Sequence, residues 1–143
     1  MQSVHPMVVH FPIALLSVAA LLDVAALLLK RPGLHRIALW NQSLGAMAAA
    51  VAVATGLRAE QVAKHSFEIW QVMERHERLG IATLILSLMA AAWRLAHRDQ
   101  LTPRARILTT VLGLLAVVTL SFGARLGGRL VYEFGVGGSF GAR

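Results

Sequence analysis

Val4-His5-Pro6-Met7-Val8-Val9-His10-Phe11-Pro12 opens directly into the apolar block Phe11–Leu29. A block of that length matches the ~20 residues a helix needs to cross a bilayer core. Three more follow, Ile37–Leu57, Leu79–Ala96 and Ile107–Ala124. The pattern predicts an all-α fold, a four-helix transmembrane bundle forming one domain over residues 1–143. Composition agrees. The chain is 57% hydrophobic and 15% charged, where a soluble domain carries about 25% charged residues.

The net charge is +7 and the mean hydropathy is +0.63. Nucleic acid is a poor explanation for that charge, because the basic residues flank the spans. Lys30, Arg31 and Arg36 follow the first span, and Arg94, Arg98, Arg104 and Arg106 follow the third, with Asp99 the one acid among them. Arg58, Lys64, Arg75, Arg78, Arg125, Arg129 and Arg143 lie on the other side, offset by Glu60, Glu68, Glu74, Glu77 and Glu133. Lys/Arg numbers tie, and acids contribute little to orientation. The short, densely basic loops after spans one and three break the tie, and no basic residue precedes the first span. Both termini are therefore expected outside the cytoplasm of a bacterial plasma membrane. No basic n-region or small-residue cleavage site marks a removable signal, so the first block is expected to remain as a span.

The absence of cysteine excludes disulfides, thiolate catalysis and Cys-held iron–sulfur clusters. Any cofactor must be held by His, Met or carboxylate. Ser and Thr sit mainly on apolar helical faces with no nucleophile–base spacing, which argues against a hydrolase.

Ionisable side chains at the mouth of a span are functional candidates. Pro6 and Pro12 each suit a first helical turn, so the first helix starts at Pro6 and kinks near Pro12, or starts at Pro12. Either way His10 lies at the outer edge, with Ala14, Ser17 and Leu21 beneath it on one face. In the third span His76, Gly80, Thr83, Ser87 and Ala90 share a face in the same manner. These paired histidine faces are the only internal similarity that this reading finds. Asp23, about 20 Å deeper than His10 at the helical rise, is expected in the bundle interior or reaching toward Lys30 or Arg36. Proton or quinone chemistry is the functional alternative there. His35 and His97, beside Arg36 and Arg98, read as solvated loop residues.

Arg31-Pro32-Gly33 predicts a turn. Gly45, Ala49, Ala52 and Gly56 form a stripe for close helix approach or for a cofactor wall. Residues 58–78, with Phe67 and Trp70, read as an interfacial amphipathic segment between spans 2 and 3, possible as a direct lead into the third span. Thr109, Gly113 and Ala116 give the fourth span a small face. The Gly-rich tail, residues 127–143, is expected to fold over the outer mouth.

Three chemistries fit the histidines. The first is haem b held by His10 and His76, with Ala14 and Gly80 leaving room for the macrocycle and Arg125 and Arg129 neutralising the propionates. The second is a zinc or copper ion held by His10 and His76 with His5 and His65. The third is structural capping of helix ends.

His5-Pro6-Met7-Val8-Val9-His10-Phe11-Pro12-Ile13-Ala14, Asp23 and the tail Leu126-Gly127-Gly128-Arg129-Leu130-Val131-Tyr132-Glu133-Phe134-Gly135-Val136-Gly137 resemble a bacterial family of predicted membrane proteins, domain-of-unknown-function family 2231. The resemblance implies four spans and the importance of His10 and His76. Where the family pattern often has a histidine in the tail, Phe134 stands here, so the tail is not expected to supply a ligand.

The resulting expectation is a non-catalytic b-type cytochrome-like subunit, passing electrons between an extracytoplasmic redox partner or catalytic subunit and quinone or another carrier in the lipid bilayer. A chain this small is expected in a hetero- or homo-oligomer. The alternatives are a haem-free membrane anchor or assembly subunit, or a metal or proton conduit toward Asp23.

Overall fold

The computed structural model describes residues 4–61, 66–97 and 100–136. Five helices are present among them: α1 (His5–Val8), α2 (His10–Leu28), α3 (Pro32–Glu60), α4 (Phe67–Ala96) and α5 (Pro103–Tyr132). Helix α1 continues into α2, so four segments are long and apolar enough to cross a membrane. Helix α2 packs on α3, α3 on α4, α4 on α5, and α5 back on α2, which closes a four-helix bundle.

Local chemistry sets the helix starts. Pro32 and Pro103 occupy first-turn positions, where a missing N–H costs nothing. Ser66 and Thr102 cap α4 and α5, their hydroxyls accepting from the amides of Ile69 and Ala105. Pro12 has no N–H to offer Val8, and the helix is interrupted at Val9 between α1 and α2. The first helix thus begins near Pro6. At the end of α2, Lys30 takes a left-handed conformation (φ 53°), and the Arg31 amide donates back to the Ala26 carbonyl at 3.1 Å.

The 58–78 stretch takes the second of its two readings, a direct lead into the third span: among the described residues α3 runs to Glu60, and α4 starts at Phe67 and runs unbroken into its span. Phe67 and Trp70 stack on the outer turns of α4. Gly127 and Gly128 are likewise helical within α5. The chain turns only at Gly135 (φ 67°), where the Val136 amide reaches the Leu130 carbonyl at 2.8 Å. Phe134 and Val136 then pack on Val72, Met73 and Leu130. Residues 137–143 lie outside the described residues.

The chain is also an internal repeat, which the sequence reading missed. At a separation of 71 residues, His5 pairs with His76, Asp23 with Arg94, Pro32 with Pro103, Gly56 with Gly127 and Arg58 with Arg129. Burial follows the same register: Pro12 and Thr83, Leu16 and Ser87, Ala19 and Ala90, Ala20 and Ala91, Gln42 and Gly113, and Ala52 and Gly123 are all buried. One repeat is α1–α3, the other α4–α5. The repeats face each other so that equivalent residues meet at both ends of the bundle, His5 with His76 and Asp23 with Arg94.

Candidate functional site: a paired-histidine cavity

At the end of the bundle that carries the termini, a cavity of about 720 Å³ opens between the repeats. His5, His10, His76, Gly56, Gly80 and Gly127 contribute to its lining. The rings of His5 and His76 lie with centroids 6.1 Å apart and planes at 81°. His10 borders the same cavity but is exposed. The face beneath it, Ala14 and Leu21, also points outward, whereas α2 buries Pro12, Leu16, Ala19 and Asp23. The histidine that the fold places against His76 is His5.

Hydrogen bonding fixes both imidazoles in one tautomer. His76 Nδ1 lies 2.8 Å from the Gly123 carbonyl, which can only accept, so Nδ1 carries the proton. His5 Nδ1 lies 3.2 Å from Thr55 Oγ1. The Thr55 hydroxyl already directs its hydrogen to the carbonyls of Val51 or Ala52, so it accepts from His5. Each ring thereby keeps the Nε2 lone pair available. A ligating histidine is held this way, its second nitrogen donating to an oxygen that sets orientation and basicity.

Glycines allow this seating. A Cβ on Gly56 would come 3.0 Å from His5 Cε1, and a Cβ on Gly127 would come 3.0 Å from His76 Cε1. The two glycines are repeat equivalents, each backing its own repeat's histidine. Farther along the stripe Gly45 serves packing instead, because a Cβ there would meet Leu16 Cδ2 at 2.7 Å. Gly80 lines the cavity with open space beside it, Val53 being 3.8 Å from an added Cβ.

The arginines expected near the cofactor stand elsewhere. Arg125 lines a separate outer groove, and Arg129 Nε pairs with Glu133 at 2.9 Å. Neither contributes to the cavity lining. Among the described residues no three His, Cys, Asp or Glu side chains group to hold a metal ion. His65 lies outside the described residues.

The opposite end holds a buried polar cluster. Arg94 Nη1 donates to Asp23 Oδ2 at 2.8 Å, His35 Nδ1 donates to Asp23 Oδ1 at 2.7 Å, and Arg94 Nη2 donates to the His35 carbonyl. Arg94 is 1% exposed and His35 5%. His35 is therefore not a solvated loop residue, and Asp23 faces the bundle interior. His97 is exposed, its Nδ1 2.9 Å from the Trp93 carbonyl. With Arg94 inside the bundle, its charge no longer counts toward the loop that follows α4.

The chain matches the family described as predicted membrane protein (DUF2231) over residues 1–139. It belongs to that family. No curated protein and no solved structure is significantly similar to it. The DUF2231 assignment fits the four spans and leaves the chemistry of the cavity to be argued from its residues.

Proposed function

We propose that this DUF2231 protein is a membrane-embedded electron-transfer subunit that holds haem b between His5 and His76. The observation that carries the reading is the imidazole pair: two rings from different repeats, 6.1 Å apart, each with Nδ1 bonded and Nε2 free. With metal–nitrogen bonds of about 2 Å on each side, rings at this separation are spaced to share one metal ion. A haem would find both of its protein ligands in His5 and His76, whereas a structural zinc site takes four ligands. The cavity volume lies within the range of cofactor pockets, about 300–1,000 Å³, and its glycines keep side chains out of the space around the rings.

Bound haem would supply the one-electron chemistry. The chain's residues hold both imidazoles in the ligating tautomer within a mostly apolar lining that Glu60 and Glu77 also border. Electrons would pass between a partner on the side of the termini, which we infer to be extracytoplasmic, and a carrier in the bilayer such as quinone.

The test is an absorption spectrum of detergent-purified protein, oxidised and then reduced with dithionite. A sharp Soret band with a split reduced α/β pair is expected. His5→Ala and His76→Ala should abolish it, and His10→Ala should keep it. A featureless spectrum from haem-replete cells would overturn the reading.

A second reading is favoured by the Asp23–His35–Arg94 cluster at the far end of the same repeat interface. Thr83, Ser87 and Gln42 are buried between the two ends, and ionisable groups within spans, here Asp23 and His35, mark proton paths. Proton flux into liposomes that persists in His5→Ala but stops in Asp23→Asn would support a conduit over a haem subunit.

A further inference from the structure

A second concavity lies on the outer surface between α4 and α5, about 400 Å³ in volume, lined by Arg75, Arg78, Leu79, Phe122, Arg125 and Leu126. None of these residues lines the histidine cavity. We propose that this groove binds the phosphate-bearing headgroup of an anionic phospholipid.

Layering of polarity is the first argument. Helix α4 runs from the face of the termini inward and α5 runs back out. Arg75 therefore precedes Leu79 with depth, and Phe122 lies deeper than Arg125. Cations sit at the rim and apolar side chains below them, as headgroup and acyl chain require. Counting back ~20 residues of span from the inner end of α4 puts Arg75 and Arg78 at the membrane boundary. Phe122 is 58% exposed, so the apolar floor faces lipid.

Charge is the second argument. Arg78 pairs with Glu74 within α4, but Arg75 and Arg125 have no carboxylate partner among the described residues. Guanidinium groups bind phosphate through paired, charge-assisted hydrogen bonds. Basic pockets between spans bind anionic headgroups on the cytoplasmic side, and here the same chemistry would act at the face of the termini.

The repeat supplies the third argument. The equivalent positions in the first repeat are Val4, Met7, Val8, Val51, Ala54 and Thr55. The same helix pair is thus built there without a single cation. Packing does not demand the three arginines, and their convergence on one groove points to a ligand.

Native mass spectrometry of the full-length protein, extracted from mixed phosphatidylglycerol–phosphatidylcholine bilayers, tests the assignment. Wild-type protein should retain phosphatidylglycerol preferentially. In Arg75→Gln/Arg125→Gln the retention ratio should fall by roughly ten-fold or more. Arg75→Gln alone, a single surface change, should give an intermediate loss and guards against misfolding of the double variant. Thermal unfolding in nanodiscs gives a second measure, with Tm rising with phosphatidylglycerol content in wild type only. Equal retention by wild type and variants would overturn the proposal. So would a Tm rise with inorganic phosphate as large as that with phosphatidylglycerol, which would make the groove a free-anion site.

Discussion

Asp23 and Arg94, equivalent residues of the two repeats 71 positions apart, meet as a buried ion pair at 2.8 Å. His35 completes the cluster from α3, so three of the four spanning helices are tied together at this end. In a low-dielectric interior each charge depends on the other.

Removing one partner should therefore cost more than removing both. Asp23→Leu leaves a buried guanidinium without the carboxylate that answers its charge, and a loss of about 3–5 kcal/mol is expected. Asp23→Leu/Arg94→Met replaces the pair with apolar volume and should recover part of that loss, His35 being left without the partners of its Nδ1 and carbonyl. Thermal unfolding in detergent, read for both single variants and the double, gives the comparison. A double variant no more stable than the singles would contradict the pairing.

The glycines behind the histidines should respond differently from their neighbours. Gly56→Ala and Gly127→Ala push a Cβ to 3.0 Å from an imidazole carbon, so each ring must move. Gly128→Ala meets nothing within 4 Å. The expected outcome is a shifted or broadened haem spectrum for the first two and an unchanged spectrum for the third. In haem-free protein the same contrast should appear in the imidazole NMR signals of His5 and His76.

Lys30 holds a left-handed backbone conformation without being glycine. That conformation costs an ordinary residue roughly 1–2 kcal/mol, part of which glycine would give back as chain entropy in the unfolded state. Lys30→Gly should stabilise the protein by about 0.5–1 kcal/mol, and Gly135→Ala should destabilise it by a similar amount. Unfolding midpoints of the two variants should move in opposite directions.

Gly45 and Leu16 form a small-to-large contact that has no room for growth. Gly45→Ala brings a Cβ to 2.7 Å from Leu16 Cδ2, and overpacking of this kind costs about 1–3 kcal/mol. Adding Leu16→Ala should relieve the clash and show non-additivity in a double-mutant cycle.

Much of the fold was legible because bilayer thickness imposes a length on every span, and the four apolar blocks declare that length. Pro32, Thr102 and Pro103 carry helix-start chemistry, yet Arg31-Pro32-Gly33 reads as a turn and only the structure shows α3 beginning at Pro32. The site was half legible. His76 stands out at the head of a small-residue face, but Pro6 and Pro12 leave the register of the first helix open, and the small-residue pattern points to His10 where the fold brings His5 beside His76. The signal that would have decided between them was present: Pro32 with Pro103 and Gly56 with Gly127 fix one register, and that register pairs His5 with His76. His35 and Arg94 were misread for a different reason. Residues near span ends look like loop residues, and only the meeting of α2, α3 and α4 reveals that these two point inward.

The Asp23–Arg94 pair also bears on why the two repeats cannot be identical. Two identical halves assembled around a two-fold axis could present matching histidines backed by matching glycines, because that arrangement is the same seen from either side. They could not present an acid to a base at the axis, since each copy would meet its own likeness, carboxylate to carboxylate or guanidinium to guanidinium. Two repeats of different sequence escape that limit, and this chain sets an acid against a base where identical halves would set like charges together. The histidine end is compatible with exact two-fold symmetry, and the ionic end is where the two repeats must differ.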